Sequence, residues 1–257
     1  MPVSLRPVPV LLYHRIEPHG RGNSTAISTP SDVFRSHLRW LADNGYRSLT
    51  LAELDARIDG APPLAEREVV LTFDDGYDCL PTLAAPILRE TGMQAASFLI
   101  TGLVGVGNHL TWDQARELSG EGLVEFHSHS HTHPRWPSDR AMVDAVADEL
   151  ARSKELLIES LGTTATQQRY LAWPYGRTND HWEQVAVDHG FTTQFVVQRG
   201  AVTRANRHHR LPRLMVDGMS LHRFSQWISA LRSRPGAMAS NRTFGTIRRL
   251  RQQVGYL

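Results

Sequence analysis

Apolar residues along this chain follow two rhythms. Seven short runs are almost continuously apolar: Val8–Tyr13, Val69–Phe73, Ala95–Ile100, Leu123–Phe126, Tyr170–Trp173, Thr193–Val197 and Leu211–Val216. That is the pattern of strands buried on both faces. Between them apolar residues recur at steps of three and four, which marks helices. Phe34, Leu38 and Leu41 do so ahead of Gly45; Leu80, Leu83, Ile87 and Leu88 ahead of Gly92; and Met142, Val146, Leu150, Leu157 and Leu161 ahead of Gly162. A glycine after each pattern suits a helix stop, and Ser31 and Asp32 are candidate caps for the first helix. Strands alternating with helices predict an α/β fold with a parallel sheet, open or closed into a barrel.

Composition narrows this picture only a little. The chain has 257 residues, 41% hydrophobic and 21% charged, which fits a soluble domain with a sizeable core. Its formal net charge of +2 is too small to argue for a nucleic-acid partner, which calls for a concentrated basic stripe. The single cysteine, Cys79, rules out an intrachain disulfide and reads as a small buried hydrophobe. No apolar stretch approaches the roughly 20 residues of a membrane span, and no secretory signal is visible, so a cytoplasmic location is expected. Composition shifts near Ser233-Arg234-Pro235-Gly236. The expected division is one folded domain over 1–235 and a basic tail over 236–257. The tail reads as a solvated terminus, with peripheral attachment to a membrane surface as the alternative.

Three segments carry candidate chemistry, and each directly follows or ends a strand-like run. In Thr72-Phe73-Asp74-Asp75-Gly76 two adjacent carboxylates close an apolar strand. Neighbours on a strand point to opposite faces, so both acids serve one site only if the strand ends and the chain turns, which Gly76 eases. The alternative is that they cap the next helix. In His127-Ser128-His129-Ser130-His131-Thr132-His133-Pro134 four histidines alternate over seven residues. Imidazole together with carboxylate is the donor set zinc prefers. Period-two spacing puts all four on one face without selecting the ligands. The third segment, Trp173-Pro174-Tyr175-Gly176, is a punctuated turn. Its aromatics suit a wall against the apolar face of a sugar, or equally a structural turn.

Taken in series, these segments resemble the polysaccharide deacetylase family, carbohydrate esterase family 4, also called the NodB-homology domain. Thr72 to Gly76 matches its first motif, Glu125 to Pro134 its second, and Trp173 to Gly176 part of its third. The resemblance implies a distorted (β/α) barrel of about seven parallel strands and a divalent metal, with Zn2+ expected. It assigns Asp75, His129 and His133 to the metal, Asp74 to the catalytic base, and Trp173, Pro174 and Tyr175 to the substrate wall and oxyanion site. The implied reaction is metal-dependent hydrolytic N-deacetylation of an N-acetylated sugar or polysaccharide.

Two positions depart from the pattern. Many members carry an arginine two residues before the third motif's proline; this chain has Ala172, and Arg213 is the candidate replacement from another strand. Many also carry a late Leu-His-Asp motif supplying the catalytic acid. Here Leu221-His222-Arg223 sits in a helix-like pattern, whereas Val10-Leu11-Leu12-Tyr13-His14 opens the chain. That order resembles the permuted branch of biofilm poly-N-acetylglucosamine deacetylases, and it makes His14 the candidate acid. Two other readings keep the same site: amide hydrolysis on a formylated amino sugar or cyclic amide, and a glycan-binding pseudoenzyme.

Overall fold

The computed structural model describes residues 6–18, 26–137, 142–203, 206 and 208–232. The expected boundary at 235 and the basic tail lie outside those residues. In chain order the strands are β1 (Val10–Tyr13), β2 (Arg15–Glu17), β3 (Ser28–Pro30), β4 (Tyr46–Ser48), β5 (Arg67–Asp75), β6 (Ala95–Leu99), β7 (Val124–Ser128), β8 (Tyr170–Ala172), β9 (Thr193–Val197) and β10 (Leu211–Met215). The helices are α1 (Ser31–Asp43), α2 (Leu51–Asp59), α3 (Ala85–Thr91), α4 (Trp112–Gly120), α5 (Val143–Leu161), α6 (Asp180–Asp188) and α7 (Leu221–Leu231).

The seven apolar runs form seven strands of one closed parallel barrel. Their order is β1-β10-β9-β8-β7-β6-β5, and β5 pairs back onto β1. The short β4 adds to the lower part of β5, pairing Ser48 with Val69. Most barrel strands alternate between apolar environments outside and inside the barrel, which is why the runs look continuous. On β5, Val69, Leu71 and Phe73 belong to the core under the helices, with Phe34, Leu38 and Leu41 of α1. Val70 belongs to a second core with Val10, Ala96, Phe98, Ala172, Phe195 and Leu211, which fills the barrel itself.

Local signals were mostly, but not wholly, sufficient. Ser31 and Asp32 do not cap α1. The cap position is Pro30, which makes no side-chain cap bond, and both residues lie inside the helix. By contrast, α2 opens with a reciprocal capping box between Thr50 and Glu53. Pro81 and Pro86 break the apolar pattern after Cys79 into a wide turn over Leu80–Ala84 and the short α3. Cys79 itself is buried, its sulfur taking the Ile16 N–H at 3.2 Å. Among the described residues no helix is long and apolar enough to cross a membrane.

Candidate active site

All strands of the barrel run the same way, so their C-terminal ends share one rim. Chemistry in parallel α/β folds collects at that rim. Inward positions on β5 climb from Val70 through Thr72 to Asp74, and Asp75 ends the strand. The turn needed to bring both acids together is made by two successive left-handed residues, Asp75 at φ 72° and Gly76 at φ 78°. A side chain at Gly76 would start 2.6 Å from a Leu99 methyl group, so glycine is also a fit to its neighbour.

The histidine run leaves strand geometry after Ser128. His127 and His129 both face the barrel interior, but at different depths. His127 is beneath, near Tyr170 (4.7 Å between ring centroids), Glu125 (3.3 Å) and Gln168 (3.4 Å). His129 reaches the rim. Ser130 and His133 take left-handed backbone, φ 67° and 57°, which curls the loop so that His133 returns to His129. Hydroxyls hold this curl: Ser128 Oγ accepts from the Ser130 N–H at 3.1 Å, and Ser130 Oγ from the His133 N–H at 3.0 Å. His131 points elsewhere, with Nδ1 3.1 Å from the Thr101 hydroxyl. The one-face arrangement expected from period two therefore holds for only part of the run.

Asp75, His129 and His133 each offer one ligand atom, all within 4.8 Å of one another. The donor chemistry fits a metal. His129 Nδ1 lies 2.7 Å from the Ala172 carbonyl; this pairing fixes the proton on Nδ1 and leaves the Nε2 lone pair facing the carboxylates at 3.6 Å. Such backbone anchoring of the far nitrogen is what holds histidine ligands in their binding tautomer. Two nitrogens and one oxygen form a three-ligand set with room for water or substrate. Burial pushes the His133 pKa down to about 4, so at neutral pH its ring is unprotonated and able to donate.

Asp74 is sealed beside this trio. Arg213 reaches from β10 and grips both its oxygens, at 2.6 and 2.7 Å, with side chains 0% and 2% exposed. Burial alone would raise the Asp74 pKa. The charge of Arg213 and its guanidinium hydrogen bonds outweigh it and bring the carboxyl down to about 2. Arg213 thus puts a guanidinium inside the barrel where Ala172 has none, and its plane lies 5.1 Å over the Phe98 ring.

His14 follows β1 at the same rim. Its Nδ1 is 2.6 Å from Asp217 Oδ2, and its own N–H donates to Oδ1 at 3.1 Å. The Thr29 hydroxyl also donates to Asp217. Burial disfavours the imidazolium, but the hydrogen bond and charge of Asp217, with Asp74 and Asp75 behind it, leave the His14 pKa above its ordinary value.

The sequence match agrees with this geometry. Residues 61–194, just over half of the chain, fit the model of the family described as polysaccharide deacetylase. The chain belongs to the polysaccharide deacetylase family. YxkH of Bacillus subtilis (strain 168) is 30% identical over 227 residues, which are 88% of this chain and 77% of that protein. A poly-β-1,6-N-acetyl-D-glucosamine N-deacetylase of Staphylococcus aureus (strain MRSA252) is 28% identical, spanning 78% of this chain and 72% of that one. Among solved structures, the deacetylase PplD of Streptococcus pyogenes, determined with acetate, superposes at a TM-score of 0.77 with 26% identity, covering 89% of this chain and 99% of PplD. The family's named members are hydrolases of carbon–nitrogen bonds other than peptide bonds.

Within this polysaccharide deacetylase the third motif needs a correction. Trp173 is 0% exposed and cannot face a sugar. Its indole N–H donates to Gln194 at 2.9 Å, and the ring packs with Trp136 and Trp182. Pro174 is buried as well. Tyr175 alone of the three is open, 49% exposed, with its ring 4.5 Å from His133. It too is left-handed, at φ 56°, and the next residue must be glycine, because a Cβ at Gly176 would sit 2.4 Å from the Val197 nitrogen. Of the five non-glycine residues with positive φ among those described, four (Asp75, Ser130, His133 and Tyr175) belong to this site. Strained backbone concentrates where side chains must be aimed.

Sequence reasoning passed over three residues. Asp217 sits two positions beyond β10 on the same rim, a signal available from the strand assignment. Glu149 of α5 accepts from the His131 and Thr132 N–H groups at 2.9 and 2.7 Å and so braces the metal loop. Tyr77 shares a hydrogen bond with Asp75; burial and that carboxylate push its phenol up to about 12.

Proposed function

We propose that this chain removes the acetyl group from N-acetylated amino sugars of a glycan by metal-dependent hydrolysis. The observation that carries the reading is the Asp75–His129–His133 trio beside an Asp74 held ionised by Arg213. Asp75, His129 and His133 hold the divalent metal, with zinc expected from the two imidazoles and one carboxylate. When bound, the metal supplies Lewis-acid polarisation of the acetyl carbonyl and a water acid enough for a weak base to deprotonate.

The protein's own groups then divide the proton traffic. Asp74 accepts the proton of the attacking water; Arg213 fixes its orientation and keeps it ionised. His14, whose proton Asp217 helps to retain, donates to the departing amine, which is too basic to leave as an anion. The backbone N–H of Tyr175 is assigned to the developing oxyanion, on the resemblance of the third motif. The S. aureus relative's named substrate, poly-β-1,6-N-acetyl-D-glucosamine, makes a polymer of N-acetylglucosamine the first glycan to try. Intact Asp74, Asp75, His129 and His133, with Arg213 supplying the charge absent at Ala172, favour an enzyme over a glycan-binding pseudoenzyme.

The test is metal analysis of the purified protein together with released amine and acetate from defined β-1,6-linked N-acetylglucosamine oligomers. Bound divalent metal with equimolar amine and acetate is expected. Protein that holds metal but releases formate from formylated amino sugars, and no acetate, would replace this substrate by the formyl one.

A further inference from the structure

A fully buried histidine outside the reaction centre has both of its ring nitrogens engaged. His37 of α1 is 0% exposed, and its ring lies flat on Phe224, with 4.0 Å between centroids and 7° between planes. Its Nδ1 is 3.0 Å from the Tyr13 hydroxyl, and its Nε2 is 2.9 Å from the Met219 carbonyl. Burial pushes the His37 pKa down to about 4, so at neutral pH the ring is uncharged and carries a single N–H. A carbonyl only accepts, which places that hydrogen on Nε2. Nδ1 is then an acceptor, and Tyr13, kept a phenol by its own burial, donates to it.

Both partners adjoin the proposed acid. Tyr13 directly precedes His14, and Met219 closes the turn that carries Asp217. In that turn the Met219 N–H donates to the Val216 carbonyl at 3.1 Å, and Gly218 takes left-handed backbone at φ 60°. The turn is held at three points. At its start the Val216 N–H donates to the Leu12 carbonyl of β1 at 3.0 Å. At its tip Thr29 accepts the Gly218 N–H at 3.1 Å and donates to Asp217 at 3.2 Å. At its end His37 holds the Met219 carbonyl. Packing against Phe224 asks only for an apolar group. The two polar contacts ask for a donor and an acceptor on opposite edges of one rigid ring, which is what neutral histidine offers.

We infer that His37 is a positioning residue for the proton donor: it fixes the turn that aims Asp217 at His14, and acts on the reaction only through that contact. Without the Nε2–H the Met219 carbonyl is free to turn, and Asp217, two residues back, loses its fixed aim. The inference rests on the deacetylase reading above and adds the support behind its acid. The test is a double-mutant cycle on deacetylation of a β-1,6-linked N-acetylglucosamine oligomer. His37→Leu keeps apolar bulk against Phe224 and loses both polar contacts. It should lower kcat about tenfold near neutral pH, as Asp217→Asn does, with KM and metal content within about twofold of wild type. Adding His37→Leu to Asp217→Asn should cost no more than about twofold beyond Asp217→Asn alone, because residues acting through one contact are not additive. His37→Gln keeps an N–H that reaches toward Met219 and should hold kcat within about threefold of wild type, whereas the shorter amide of His37→Asn should not. This amide pair carries the test if the His37→Leu protein fails to fold. Unchanged kcat in His37→Leu, losses that multiply in the double variant, or equal turnover in His37→Gln and His37→Asn would overturn the positioning role and leave His37 a packing residue. Wild type that releases no acetate from the oligomer overturns the deacetylase reading itself, and this role with it.

Discussion

The two ends of the barrel are built from the same kinds of residue, yet only one end carries candidate chemistry. At the lower end, Glu68 accepts from Arg57 Nε at 2.9 Å and from the Leu64 N–H at 2.6 Å. Asp55 accepts from the Thr193 hydroxyl at 3.0 Å, meets His208 Nδ1 at 3.1 Å and is gripped by Arg169 at 2.9 Å. The second nitrogen of His208 is engaged by Asp59 at 2.9 Å. Both carboxylates there are surrounded by donors, and His208 has both nitrogens committed. At the upper rim the accounting is left open on purpose of geometry: His129 has one nitrogen anchored and one lone pair aimed at Asp75, and His133 is unprotonated beside it. Residue type does not separate a structural cluster from a reactive one. Unspent donor and acceptor capacity facing a common point does.

The largest expected effect breaks that distinction directly. Asp74→Asn keeps the shape and removes the basicity, so turnover should fall by about 10³-fold or more, in the upper part of the span of general-base effects, while metal content stays at the wild-type level. His129→Ala should lose metal and activity together. Metal analysis alongside initial rates separates the two outcomes. An Asp74→Asn protein with full activity removes Asp74 from the chemistry and makes the rim another structural cluster.

The matching test at the lower end moves stability instead. Glu68→Gln removes the charge partner of Arg57, whose side chain is only 3% exposed. An uncompensated buried guanidinium costs about 3 kcal/mol, so the melting temperature should drop by several degrees. Below that temperature kcat and metal content should match wild type. Lost turnover in a protein of unchanged stability would show that the lower end also serves the reaction.

How much of this contrast is legible along the chain depends on the range of the contacts. The barrel is legible because alternation and run length are local, and the seven apolar runs are the seven barrel strands. Asp75 and His129 are legible as motif members because each lies where a strand stops, and His133 because it closes the same histidine run. Their geometry is less so. His127 shares a face with His129, but two residues down a strand is roughly 7 Å deeper, which is enough to bury it among Tyr170, Glu125 and Gln168. Trp173 reads equally as wall or core until Trp136 and Trp182 arrive from distant segments to enclose it. Arg213 could be nominated as the charge missing at Ala172, whereas its bidentate grip on Asp74 spans 139 positions and leaves no local trace. Asp217 is harder still, since it acts on His14 across 203 positions.

That last pair gives the subtlest test, because it shifts a proton rather than removing a group. Burial pushes His14 toward the neutral form, and Asp217, with Asp74 and Asp75 behind it, more than reverses this, so His14 keeps its proton to a higher pH than an ordinary histidine. An acid that must be protonated sets the alkaline limb of the rate profile. In Asp217→Asn the largest raising influence is gone, with only Asp74 and Asp75 left to act, so the alkaline limb of kcat/KM should move to lower pH, with about tenfold lower activity near neutrality and little change on the acid side. Stability should follow the same sign. A raised folded-state pKa stabilises the protein fully at pH below the unfolded histidine value, near 6.5, and that contribution fades as pH rises through the folded-state value. The gap in melting temperature between wild type and Asp217→Asn should therefore be widest under mildly acidic conditions and narrow on the alkaline side. His14→Ala supplies the control: it should lose activity across the whole profile and retain metal. An Asp217→Asn enzyme whose alkaline limb stays in place would mean that His14 does not donate the proton, and the acid would have to be sought elsewhere on the rim.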